Sequence, residues 1–337
     1  MIDLTKGKIL VTGGAGFIGS ALIWALNLKG LDHILVCDAL GTDDKWRNLA
    51  PLRFDDFIPP DELLDRVKRE ATSLDDIRTV FHLGACSATT ERDLDYLMRN
   101  NFEFTKILGE WAAQRKIRFV YASSAATYGD GSAGMKDDES RLNQLRPLNG
   151  YAFSKQRFDL YAYRRGLLNQ FVGLKYFNVF GPNEGHKGDM RSVVHKAFQQ
   201  VQATGKIQLF KSYHPDYGDG EQKRDFLYVK DAVEMTIFLA SNPAAIGIFN
   251  LGFGRARTWL DLANAVFSAL GRSPVVEFVE MPETLKPNYQ YFTEATIDKL
   301  VSLGFKGPGF TLEEAVRDYV QNYLVPARPL EPERVLG

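Results

Sequence analysis

Lys8-Ile9-Leu10-Val11-Thr12-Gly13-Gly14-Ala15-Gly16-Phe17-Ile18-Gly19-Ser20 is the stretch on which the fold turns. A short apolar run breaks into a glycine-rich turn and reopens as a segment, Phe17 to Lys29, with apolar residues at helical spacing. Each glycine answers a separate demand. Gly13 permits a tight turn, Gly16 lets the backbone approach a pyrophosphate, and Gly19 lets the helix lie close on the strand. A second apolar run, Ile34 to Cys37, ends in Asp38, 19 residues beyond Gly19. A carboxylate there can reach an adenosine ribose, and strand, turn, helix and acid together predict a bound dinucleotide.

Outward from this unit the pattern repeats. Thr79 to His82, Phe119 to Ala122 and Phe171 to Tyr176 read as strands, while Thr89 to Arg115 and Tyr151 to Gly166 read as helices. Strands alternating with helices call for the α/β class, a Rossmann-type doubly wound parallel sheet with helices on both faces. After Asn178 the texture changes to Gly- and Pro-containing loops and shorter elements, which predicts a smaller C-terminal α+β substrate domain over the sheet's carboxyl edge. Asp225 to Leu239 and Ile248 to Leu251 read as a helix and a strand returning to the first domain. The expected division is 1–178 with about 225–252 for the dinucleotide, about 179–224 with 253–325 for the substrate, and an extended tail at 326–337. Ser212 to Lys223, polar, aromatic and Gly-rich, reads as a surface loop over the cleft.

The 337 residues include 45% hydrophobic positions, enough for a sizeable core. Lys plus Arg at 41 against Asp plus Glu at 42 leaves a formal charge of -1, so no global field draws the chain to nucleic acid or membrane. An anionic ligand must then be held by local groups. Met1 to Lys8 has no apolar run of signal-peptide length, and no stretch approaches the ~18 apolar residues of a membrane span, so the expected compartment is the cytoplasm. Cys37 and Cys86 have neither CxxC spacing nor a histidine cluster beside them and read as small buried residues, with no metal site.

Two residues bear on the cofactor's ribose in opposite senses. Asp38 favours NAD through the ribose hydroxyls, and Lys45 could pair with a 2′-phosphate and favour NADP. The candidate chemistry lies further on. Tyr151-Ala152-Phe153-Ser154-Lys155 puts a phenol and an ammonium on one helical face. A phenol with a pKa near ~10 is a poor base at neutral pH. A lysine cation nearby favours the phenolate, and Lys155 can also hold the nicotinamide ribose. Strand Phe119 to Ala122 runs into Ser123-Ser124, placing Ser124 at the strand end that faces the cofactor crevice, where its hydroxyl can bond the reacting oxygen.

At these residues the chain resembles the extended short-chain dehydrogenase/reductase family, whose sugar-nucleotide members share a Thr-Gly-x-x-Gly-x-x-Gly turn and a Tyr-x-x-x-Lys helix. Members that eliminate water carry Asp-Glu after the serine or threonine; Ala125-Ala126 stands here instead, which argues against a dehydratase. The stretches Gly84 to Glu91, Ala122 to Gly129 and Tyr176 to Gly188, the last ending in Gly185-His186-Lys187-Gly188, are similar to the epimerase branch that acts on ADP-heptose for the lipopolysaccharide core. That resemblance implies a homo-oligomeric NADP-dependent isomerase in which Lys187 is a second acid/base. It implies a cofactor lining of Gly13, Gly16, Phe17, Ile18, Gly19, Asp38, Ala39, Lys45, Leu83, Gly84, Ala85, Cys86, Ser87, Asn100, Lys155, Val179 and Lys187. A second phosphate-pairing lysine of the branch is Pro60 here. For the sugar nucleotide, ADP-heptose or a relative, it implies Ser124, Asn178, Asp189, Phe210, Lys211, Ser212, Tyr213, Arg224 and Tyr289. Lys196, with His195 beside it, stands where the branch has a histidine, and the Ser212 to Lys223 loop is longer than usual.

The chemistry gives the second base a reason. Inverting a carbon through a ketone requires both carbonyl faces to meet one fixed nicotinamide, and a single tyrosine does not serve the oxygen in both poses. A partly desolvated lysine on a glycine-flanked loop suits the other pose. The alternatives are a 4-epimerase acting on a UDP- or GDP-hexose, and a nucleotide-sensing protein that has lost catalysis.

Overall fold

The computed structural model describes residues 1–332 except 284, 287 and 288. Seven parallel strands form the central sheet. In chain order they are β1 (Lys8–Thr12), β2 (Ile34–Cys37), β3 (Asp56–Ile58), β4 (Ile77–His82), β5 (Arg118–Ser124), β6 (Phe171–Tyr176) and the strand Gly247–Leu251. Their spatial order is Gly247–Leu251, β6, β5, β4, β1, β2, β3. The chain therefore winds outward from β1 in both directions, and the reversal between β1 and β4 opens a crevice at the strands' carboxyl ends. Most strand residues are buried, as expected where helices cover both faces.

Alternation along each strand divides the core. Ile9, Val11, Ile34 and Val36 pack on one face with helix α1 (Phe17–Leu28) and the helix Val229–Ser241. Leu10, Leu35, Val80 and Phe119 pack on the other with helix α2 (Pro60–Lys68) and the helices Phe104–Gln114 and Gly150–Arg164. Asp225 itself precedes a short strand, Phe226–Tyr228, which pairs with Asn178–Phe180; the returning helix begins only at Val229. The expected helix over Thr89 to Arg115 is broken: Leu94–Leu97 is α, Met98–Glu103 is a π-turn, and Phe104–Gln114 is α again.

The second half adds two short pairings, Ile207–Phe210 with Val276–Val279 and Lys223–Arg224 with Arg257–Thr258. From Pro326 the described tail does not run free. Leu330 is fully buried, and the Trp24 indole donates to the Glu331 carbonyl at 3.1 Å. The rest of the tail, 333–337, lies outside the described residues. Both cysteines are free; Cys37 is buried, its thiol pushed up to about 12 by desolvation, and Cys86 is half-buried. No helix among the described residues is long and apolar enough to cross a membrane, and none of them form a metal-ligating cluster.

Candidate active site

At the end of β1, Gly13 adopts φ +69, and a Cβ there would lie 2.6 Å from the Gly84 nitrogen. A Cβ on Gly19 would fall 2.0 Å from the Gly13 carbonyl oxygen, so both positions exclude any side chain. Helix α1 begins at Phe17 with no side-chain cap and no acid in its first turn. Its leading N–H groups and dipole are thus presented to an anion, and the cradle fits a dinucleotide pyrophosphate.

Asp38 and Lys45 meet beside this turn. Asp38 Oδ2 accepts from the Ala15 N–H at 2.9 Å, and Oδ1 pairs with Lys45 Nζ at 2.9 Å. Ala39 is exposed next to them, and Pro60 opens α2. Leu83 to Ser87 leave β4 along the turn: the Leu83 N–H donates to the Thr12 carbonyl and the Gly84 N–H to the Thr12 hydroxyl. Asn100, expected at the cofactor, is half-buried, and its Nδ2 donates to the Tyr96 carbonyl at 3.1 Å. Its neighbour Asn101, fully buried, holds Cys86 through both backbone N–H and C=O, and also donates to Ser154 Oγ on the Tyr151 helix. Only the Asn-Asn pair hinted at this, since the π-turn decides which of the two points inward.

Ser124 closes β5, with its hydroxyl accepting from the Ala126 N–H at 3.1 Å. Tyr151 lies in the first turn of Gly150–Arg164, a helix capped by the Asn149 side chain on the Ala152 N–H. Lys155 Nζ, four residues on, donates to the Ala122 carbonyl of β5 at 2.8 Å. Strand end and helix are thereby locked together. Burial raises the Tyr151 phenol, with the Ser124 hydroxyl only partly offsetting it. Desolvation pushes Lys155 itself down to about 8, while Asp159 one turn on holds it up.

Lys187 stands in the short 3-10 turn Gly185–Met190. Its Nζ lies 5.4 Å from the centre of the Phe17 ring, at the start of α1, and burial lowers its pKa against the pull of Glu184. Val179 is half-buried in Asn178–Phe180 on the way to that turn. The substrate candidates divide. Arg224 is 6% exposed, its guanidinium 5.5 Å from the Trp259 ring and 5.2 Å from the Tyr289 ring. No carboxylate pairs with it among the described residues. The guanidinium donates instead to the Lys223 carbonyl at 2.8 Å and to the Gln290 carbonyl, which leaves its charge without a counter-ion that a bound anion would supply. Trp259 lines a cavity of about 230 Å³ with Asn178 and Phe226, and Tyr289 lines a cleft of about 620 Å³ with Asp130, Leu148, His214, Tyr217 and Tyr291. Arg224 packs against one ring from each.

The Ser212 to Lys223 loop borders that cleft, His214 packing on Tyr291 at 5.0 Å between ring centres. Phe210 is half-buried at its strand end, and the Ser212 N–H is held by Asp219. Lys211 and Tyr213, by contrast, are both committed to the Glu280 carboxylate. Asp189 and Lys196 are exposed, and His195 is bonded to the Tyr319 hydroxyl.

A doubly wound sheet with this glycine cradle and a Ser/Tyr/Lys group at its carboxyl edge defines a nicotinamide-dependent class, and the chain belongs to the NAD dependent epimerase/dehydratase family, whose model matches residues 9–252. The ADP-L-glycero-D-manno-heptose-6-epimerase of Nitratidesulfovibrio vulgaris (strain DP4) is 52% identical over 320 residues, covering 95% of this chain and 99% of that one. The crystal structure of the Helicobacter pylori ADP-L-glycero-D-manno-heptose-6-epimerase superposes with a TM-score of 0.77 at 27% identity, over 96% of this chain and 98% of that one. A UDP-N-acetylglucosamine 4-epimerase from Methanobrevibacter ruminantium M1 superposes with a TM-score of 0.77 at 26% identity, over 97% and 100%.

Proposed function

We propose that this chain converts ADP-D-glycero-D-manno-heptose to ADP-L-glycero-D-manno-heptose, inverting carbon 6 through a 6-ketone, and so supplies heptose for the lipopolysaccharide core. The observation that carries the mechanism is the placement of two desolvated acid/base groups on different elements, Tyr151 beside Ser124 and Lys187 over Phe17. A nicotinamide dinucleotide, held by the glycine turn and the start of α1, would supply the hydride acceptor and donor. Tyr151 or Lys187 takes the hydroxyl proton as carbon 6 loses its hydride, and Ser124 bonds the carbonyl oxygen that forms. Lys155 holds the cofactor's ribose. Arg224 grips the diphosphate while the sugar turns to offer the second face of the ketone; the other base, already protonated, gives the oxygen its own proton, and exchange with solvent returns the two bases to their starting states. No external reductant is consumed.

In the same reading, residues 1–178 with 225–252 hold the dinucleotide, residues 179–224 with 253–325 hold the sugar nucleotide, and the enzyme works as a cytoplasmic homo-oligomer. NADP is the preferred cofactor, because Lys45 keeps N–H groups free for a 2′-phosphate while it occupies one oxygen of Asp38. The Asp38 carboxylate favours NAD as the second reading. Identifying the nucleotide released on denaturing the purified protein separates the two. Incubation with ADP-heptose and with UDP-hexoses, followed by product stereochemistry, tests the substrate; inversion of a UDP-hexose with no action on ADP-heptose overturns the proposal in favour of a 4-epimerase.

A further inference from the structure

The turn Gly185–Met190 buries none of its residues completely, yet it carries the half-buried Lys187, a group that must come within hydrogen-bond reach of one sugar oxygen. The two residues just before it are buried, Asn183 at 7% exposure and Glu184 at 1%. Asn183 adopts φ 76, a left-handed backbone that asparagine tolerates better than most residues. Its Nδ2 donates to Ser20 Oγ on α1 at 3.0 Å, and its Oδ1 accepts from the Leu330 N–H at 2.9 Å. The Asn48 side-chain amide donates to the Asn183 carbonyl at 3.1 Å and to the Ala15 carbonyl, inside the glycine-rich turn, at 3.0 Å. Three segments distant in sequence thus converge on one residue.

Glu184 is held from the opposite side. Its carboxylate accepts from the Ser192 N–H and hydroxyl, each at 2.6 Å, and from the Tyr319 hydroxyl at 3.0 Å. Tyr319 spends its one proton on Glu184, so His195, 3.0 Å away, donates to it through Nδ1.

We propose that Asn183 and Glu184 are positioning residues for Lys187: one ties its turn to the dinucleotide helix, the other to Ser192 and Tyr319 behind it, and between them the amine is fixed over Phe17. The inference rests on the reading that Lys187 is the second acid/base. Tyr151 stands on a separate helix with its own cap and anchors, so the brace acts on one base and not the other. Loosening it slows oxidation of the epimer whose hydroxyl faces Lys187 and spares its partner, whereas a general loss of structure slows both.

The test uses Asn183→Gly, which tolerates the positive φ but deletes both side-chain bonds, and Glu184→Gln, which keeps the shape and removes the charge, with Lys187→Met as reference. First-turnover formation of the keto sugar is followed through the nicotinamide absorbance from each ADP-heptose epimer separately, and amide hydrogen exchange is read across Gly185–Met190. Each brace variant is expected to slow the epimer that Lys187→Met slows by about tenfold or more, to leave the other within about twofold, and to speed exchange in the turn. Equal slowing of both epimers by the brace variants, with Lys187→Met still one-sided, overturns the brace and leaves the two-base reading standing. Wild-type rates with unchanged exchange also overturn the brace. Symmetric slowing by Lys187→Met overturns the two-base reading and the brace together. Should Asn183→Gly fail to fold, Glu184→Gln carries the test alone.

Discussion

Lys155 shows how little the spacing of a motif says about its electrostatics. Its position four residues after Tyr151 was legible in the sequence, as was Ser124 at a strand end, because both follow from local periodicity. That its ammonium caps the Ala122 carbonyl and is pushed down to about 8 was not, since desolvation depends on everything folded around it. The direction has a consequence for activity. As pH rises through about 8 the cation that orients the ribose and supports proton transfer is lost, so kcat/KM falls on the alkaline side. A profile that stays flat to about pH 10 would remove Lys155 from that role.

Among the elements, β4 and the broken helix beyond it depend on one neutral imidazole. The Thr12 hydroxyl accepts from the Gly84 N–H and donates to His82 Nδ1; His82 Nε2 donates to Thr105, which donates to the Asn101 carbonyl. A second proton on His82, at Nδ1, would point at the hydroxyl hydrogen that Thr12 already directs there, and burial holds its pKa down to about 3. Because this lies below the ordinary 6.5, the unfolded chain binds a proton that the folded one refuses. Stability is therefore full above about 6.5 and declines as pH falls toward about 3, by on the order of one proton's linkage, and His82→Gln should flatten that decline in urea titrations. Asp159 is the second hinge between elements: it accepts from Tyr121, Ser123 and Lys175, joining the Tyr151 helix to β5 and β6. Lys175→Met leaves that carboxylate buried without its cation and should cost about 3–5 kcal/mol in urea unfolding. The helical period over Thr89 to Arg115 hid the π-turn, because a single inserted residue barely disturbs the apolar pattern.

For the molecule as a whole, the first half was readable because each βαβ unit closes over a few dozen neighbouring residues. The second half was not, because its pairings join distant segments: Ile207–Phe210 with Val276–Val279, Arg224 with Tyr289, and Leu330 with Asn183. No local pattern announces such contacts, among them those that dock the described part of the extended tail. The unequal burial of the two cysteines turns the assembled fold into its own reporter. With Cys37 sealed in the sheet and Cys86 half-open in the loop beside the glycine turn, a small alkylating reagent should leave a single adduct on the native protein, seen by intact mass. Added dinucleotide should shield that one sulfur, so the rate of covalent tagging becomes a titration of occupancy that needs no sugar and no turnover; a second adduct on folded protein would mean the sheet opens far more readily than its packing implies.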